Sequence, residues 1–124
     1  MSHTLEQISL EQIAKKWFSA FNDHNLEALL SLYADDAQHY SPKLKKLEPE
    51  TRGFINGKEG LGKWWGGAFD RLPTLTYHVR NLTFGTDRIF MEYLRKVHNE
   101  PDMLVAEVLE LKHGLIVASR VYHG

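Results

Sequence analysis

The sequence predicts an α+β domain, with helices gathered on one face of a curved, mostly antiparallel sheet. Three observations carry this. Apolar residues recur at helical spacing in the segments before Arg71. From Pro73 onward, apolar and polar residues alternate with period two. The alternating runs are separated only by "GTD", "NEPD" and "HG", links so short that successive strands must be antiparallel.

The elements follow in order. Ser9 with Gln12 three residues on is a capping-box pattern, and Ile13, Trp17, Ala20 and Phe21 continue behind it as one helical face. "NDHN" breaks that helix and Asn25 can cap a second one carrying Leu26, Leu29, Leu30 and Tyr33, which Asp35 and Asp36 close. Residues 37–41 read as a short strand and 42–57 as a long loop punctuated by Pro42, Pro49 and Gly53. A third helix spans 58–71. Its glycines at 60, 62, 66 and 67 each cost about 1 kcal/mol relative to alanine, so burial of Leu61, Trp64, Trp65 and Phe69 has to hold it. Strands are predicted over 75–84, 88–97, 103–112 and 115–123.

The chain of 124 residues is expected to be a single domain, residues 1–124. A formal charge of −1 provides no basis for nucleic-acid or anionic-membrane binding, and "KLKK" (43–46) reads as a solvated loop. With no cysteine, disulfides and thiol catalysis are excluded, which suits a cytoplasmic protein. "MSHTLEQISLEQ" lacks the apolar stretch of a signal peptide, and no window reaches the length of a membrane span.

Both faces of the last strands are apolar. One parity holds Val105, Glu107, Leu109 and Leu111 with Val117, Ser119 and Val121; the other holds Leu104, Ala106, Val108 and Glu110 with Ile116, Ala118, Arg120 and Tyr122. Helices cover only one face of such a sheet and a solvated face would be polar, so a homodimer through the outer face is expected.

In "FNDHNLEALLSLYADDA" (21–37), "GKEGLGKWW" (57–65) and the closing "ELKHGLIVASRVYH", the chain resembles the SnoaL-like domains of the NTF2-like superfamily, over nearly its whole length. The resemblance implies a cystatin-like cone whose concave sheet and helices enclose one apolar pocket. That fold hosts isomerases, polyketide cyclases, epoxide hydrolases, dehydratases and non-catalytic binders. Carried over residue by residue, the first-helix tyrosine of the ketosteroid isomerases falls on Trp17, their general-base aspartate on Ser41, and their oxyanion-hole aspartate on Glu107. The last-strand aspartate of the cyclases and epoxide hydrolases falls on Val121.

The resemblance makes the Glu107 parity the pocket face, and points Met91, Tyr93 and Arg95 inward beside Ser119 and Val121. A carboxylate among valines and leucines has its pKa raised by desolvation; if Arg95 pairs with it, the shift reverses. Alternation in the first strand puts Ala37, His39 and Ser41 on one side. His39 then reads either as a satisfied pocket-rim histidine or as the partner of Glu107 in a proton-transfer pair. Trp17, Phe21, Tyr33, Trp64, Trp65 and Phe69 are core residues that can also line a cavity for a small apolar or oxygenated molecule. No metal spacing, phosphate loop or nucleophile elbow is present, so neither cofactor nor metal is expected.

Overall fold

The computed structural model describes the backbone of residues 2–123 and the side chains of residues 10–123. Helix α1 (Ser2–Asn22) buries Leu10, Ala14, Trp17, Phe18 and Phe21, a stripe at helical spacing. It starts earlier than the Ser9–Gln12 pattern predicts. No Gly or Pro interrupts residues 2–22, so the helix runs through Ser9, whose side chain lies outside the described ones. Past α1, His24 takes a left-handed backbone with φ of 54° and its Nε2 lies 2.7 Å from the Leu75 carbonyl oxygen. Asn25 then caps α2 (Leu26–Leu30), accepting from the Ala28 N–H at 3.1 Å.

Helix α2 is shorter than expected. Tyr33 opens strand β1 (Tyr33–Tyr40) instead of ending the helix, and Asp35 and Asp36 are exposed strand residues rather than a helix stop. The sheet decides this. Residues of β1 pair in parallel with the last strand, whose Ile116 N–H donates to the Leu32 carbonyl at 2.9 Å, and Tyr33 is fully buried.

Residues 42–57, expected as a loop, fold into α3 (Pro42–Leu47), a 3₁₀ turn (Pro49–Thr51) and β2 (Phe54–Asn56). Ser41 accepts from the Leu44 N–H at 3.4 Å, and Pro42 occupies the first helical position, where its missing N–H costs nothing. Gly53 is required just before β2. Its φ is +89°, and a Cβ there would lie 2.7 Å from the Tyr40 ring.

Helix α4 (Lys58–Arg71) and strands β3 (Thr76–Phe84), β4 (Arg88–Lys96), β5 (Met103–Lys112) and β6 (Leu115–His123) match the predicted segments closely. One six-stranded sheet results, in the order β2-β1-β6-β5-β4-β3, with only the β1–β6 pair parallel. Helix α1 lies against β3 and β4, and α4 against β1 and α2. The core between them includes Leu29, Leu61, Ile89, Leu109 and Ile116, all fully buried. Among the described residues no helix is long and apolar enough to cross a membrane.

The glycines of α4 are not equivalent. A Cβ on Gly60 would meet Ile55 Cγ2 at 2.8 Å, whereas one on Gly67 would meet only the mobile end of Arg71, at 3.1 Å. Gly67→Ala is therefore expected to raise the unfolding free energy by about 0.5–1 kcal/mol through helix propensity. In a denaturation series, Gly60→Ala should fail to show that gain, because Ile55 has to shift.

Candidate functional site

Between the sheet and the helices lies a cavity of about 70 Å³. Its aromatic wall comes from α1 (Trp17, Phe21), α4 (Trp64, Trp65) and the sheet (Tyr77, Tyr93). Trp17, Phe21, Tyr77 and Tyr93 form a stacked group, with Tyr77 3.9 Å from the Phe21 ring centre and 4.1 Å from that of Tyr93. The polar lining comprises His39 and Ser41 at the end of β1, Glu107 on β5, and Lys43, Arg71, Arg95 and His123. Val121 lines it opposite Glu107 in the β5–β6 register.

The remaining sequence candidates stand behind this wall. Phe69 packs edge-on against Phe21 with ring centres 5.1 Å apart, and Met91 is buried opposite Glu107 on β4. Tyr33 accepts a hydrogen bond from Trp17 Nε1 at 2.9 Å, and burial pushes its phenol pKa far upward. Ser119 is hydrogen-bonded to His39. His123, near the end of the chain, can be expected from the sequence to reach the pocket mouth and does line it, whereas Tyr77, Lys43 and Arg71 are not expected there. For Tyr77 a signal existed, since it falls on the parity of β3 that meets Arg95 across the β3–β4 pair.

Two sets of hydrogen bonds flank the site. In the first, Trp17 donates to Tyr33, and the Ser119 hydroxyl lies 2.6 Å from His39 Nδ1. His39 is 2% exposed, and burial lowers its pKa to about 4, so the imidazole is neutral at pH 7. In the second, the Tyr93 hydroxyl, on a ring stacked against Tyr77, donates to Glu107 Oε1 at 2.7 Å.

Glu107 is the electrostatic exception. It is 3% exposed, and burial raises its pKa to about 8 despite the opposing hydrogen bond from Tyr93. The pairing with Arg95 that would reverse this does not form: Arg95 Nη1 lies 2.9 Å from Glu100 Oε1, in the link between β4 and β5. The second oxygen of Glu107, Oε2, is buried without a hydrogen-bond partner. At pH 7 the side chain is therefore mainly a neutral acid with a free O–H to donate.

His39 and Glu107 share the cavity but do not touch. They sit on β1 and β5 with β6 between, so a proton could pass from one to the other only through a molecule in the cavity. Among the described residues no group of three or more His, Cys, Asp or Glu could hold a metal ion.

Tyr93→Phe tests this local account. It removes the hydrogen bond that favours the ionised carboxylate, so the Glu107 pKa should rise further. The loss of a buried partner should cost about 1–3 kcal/mol of stability. Carboxyl NMR titration and denaturant unfolding measure the two effects, and an unmoved pKa would contradict the assignment.

Residues 14–119 match the family model of the SnoaL-like domain. A solved SnoaL-like protein of unknown function from Burkholderia thailandensis E264 is 27% identical, with a TM-score of 0.86 over 95% of this chain and 96% of that one. An NTF2-like protein of unknown function from Burkholderia xenovorans LB400 is 16% identical, with a TM-score of 0.79 over 97% and 86% of the two chains. A protein of ketosteroid isomerase-like fold from Catenulispora acidiphila DSM 44928, solved in complex with trimethylamine, is 18% identical, with a TM-score of 0.70 over 89% and 83%. The last two likenesses concern the fold alone. No curated protein matches the chain significantly. The element order, the sheet and the family match together make this chain a member of the SnoaL-like family, with the NTF2-like fold.

Proposed function

We propose that the cavity binds a small oxygenated molecule and that Glu107 exchanges a proton with it, in cofactor-free acid–base catalysis of the isomerase, cyclase or dehydratase type. One observation carries this reading: a buried carboxyl with one oxygen held by Tyr93 and the other unpartnered, its pKa raised to about 8. A group poised near neutral pH and oriented by a neighbour is what general acid–base chemistry requires. His39, neutral and oriented by Ser119, is the second proton-transfer group, and Trp17 and Tyr93 orient the ligand.

A volume of about 70 Å³ suits a ligand of a few heavy atoms. The structural relative from Catenulispora acidiphila, whose complex holds trimethylamine, is consistent with that scale. The test is deuterium exchange at the α-carbons of cyclopentanone, followed by NMR. Wild type should accelerate it and Glu107→Gln, with an unchanged fold, should abolish that acceleration. Equal exchange in both proteins would overturn the acid–base role.

Val121, an apolar residue opposite Glu107 in the last strand, favours a second reading: a non-catalytic binding module using the same pocket. It predicts saturable ligand binding with no exchange in either protein.

We infer separately that the protein is a homodimer, in the cytoplasm that a cysteine-free chain suits. The outer face of the sheet exposes Phe90 on β4, Leu104 on β5 and Tyr122 on β6 at 50%, 47% and 51%. Sedimentation of wild type against Leu104→Lys checks it: a dimer that becomes a monomer supports this interface.

A further inference from the structure

The cations around the cavity do not behave as an ordinary solvated surface. Lys43 comes from α3, Arg71 from the last turn of α4 and Arg95 from β4, three elements far apart in sequence that converge on one opening. Glu100 is paired with Arg95, but among the described residues no carboxylate oxygen lies within 4.0 Å of the Lys43 or Arg71 nitrogens. Three cations against Glu100 leave two net positive charges here, in a chain whose formal charge is −1. The charges also feel one another: burial first, then Arg95 and Arg71, hold the Lys43 pKa below its usual value against the opposing pull of Glu100. His123, at the same opening, is likewise lowered, first by burial and then by Arg95, Lys43 and Lys46.

Three like charges that share the single carboxylate of Glu100 still oppose one another, and a second anion seated among them reduces that cost. The same cavity carries a second, independent pointer, the unpartnered buried Oε2 of Glu107.

We propose that Lys43, Arg71 and Arg95 form an anion subsite at the mouth of the cavity, so that its ligand is a small carboxylic acid. The carboxylate sits at the mouth, the apolar body lies between Trp17, Trp65 and Tyr77, and an oxygen at the inner end accepts from Glu107. This rests on the small-molecule pocket proposed above and names the class of ligand it takes.

The three tryptophans of the chain all line this cavity, so intrinsic fluorescence reports on it directly. Isobutyrate and propionate are titrated at pH 7 against isobutyramide and propionamide, uncharged molecules of the same shapes. The acids should bind about ten-fold more tightly than their amides, as three partly solvated charges allow. Lys43→Gln and Arg71→Gln, at exposed positions, should each weaken the acids about three-fold and leave the amides unchanged, and added salt should reduce the preference for the acid. Equal binding of acid and amide, or acid binding unaffected by both substitutions, overturns the anion subsite while leaving the pocket intact. Absence of binding by all four probes overturns the subsite and the small-molecule pocket together.

Discussion

Glu107→Gln should make the protein more stable in alkaline solution and reveal which way its two buried titratable groups pull. In the folded protein Glu107 has its pKa raised to about 8 from 4.5. Between those values the unfolded chain has lost the proton and the folded one keeps it, so stability falls as pH rises, by about 1.4 kcal/mol per unit. His39, lowered to about 4 from 6.5, acts oppositely: as pH drops through that range the unfolded chain gains a proton that the folded one refuses, and stability falls. The two slopes cancel where the ranges overlap, from pH 4.5 to 6.5. Above 6.5 only Glu107 acts, so wild type should lose about 2 kcal/mol by pH 8, or several degrees in melting temperature. Below 4.5 the decline is steepened by Glu100 and Glu110, whose carboxyls Arg95 and Arg120 hold below the ordinary value.

In the glutamine variant the amide keeps an oxygen for the Tyr93 hydroxyl and N–H donors where the acid had its O–H, without an ionisable group. Its stability should therefore stay level from pH 6.5 to 8 and rise from pH 4 to 6.5, where His39 now acts unopposed. Urea unfolding across this range measures both limbs. A wild-type profile that is flat above pH 6.5 would mean that Glu107 ionises in the folded state as readily as in the unfolded one.

Leu61→Ala should have the largest effect on stability at fixed pH, about 2–5 kcal/mol. Leu61 is fully buried in α4, a helix whose four glycines give it poor intrinsic propensity. The same glycines bring the helix close to its neighbours: a Cβ on Gly62 or Gly66 would lie 3.3 Å from Leu30 or Leu26 on α2. Tertiary packing thus supplies what propensity withholds, and a void at Leu61 weakens both. Because α4 also carries Trp64 and Trp65, the loss should appear in chemical denaturation and as a shift in the native tryptophan emission. A loss below about 1 kcal/mol would show that α4 is held elsewhere.

The balance between these two kinds of information differs from element to element. The strands from Thr76 to His123 and helix α4 were legible in the sequence, because a half-buried strand writes its two faces into alternate residues and a packed helix writes a stripe. The inward set Met91, Tyr93, Arg95, Val105, Glu107 and Leu109 could be named for the same reason once the family resemblance had said which face was which. The segment from Leu26 to Asn56 was misread where local cues competed with long-range pairing. Tyr33 continues a helical pattern on paper that Asp35 and Asp36 close, yet a parallel partner 80 residues away, met where His39 pairs with Ser119, draws all three into the sheet.

At the site, residue identities and parity located the buried carboxyl but not its state. Whether Arg95 neutralises Glu107 depends on where the link between β4 and β5 carries Glu100, and that is a matter of three-dimensional reach rather than spacing. The convergence of Lys43, Arg71 and Arg95 was equally invisible, since no local pattern relates α3, the end of α4 and β4. The sequence by itself determined the fold, through periodicity and turn chemistry that act over a few residues. Only the tertiary structure decided the charge of Glu107 and the cationic mouth of its cavity, because burial and Coulomb interactions depend on distances that the folded chain alone establishes.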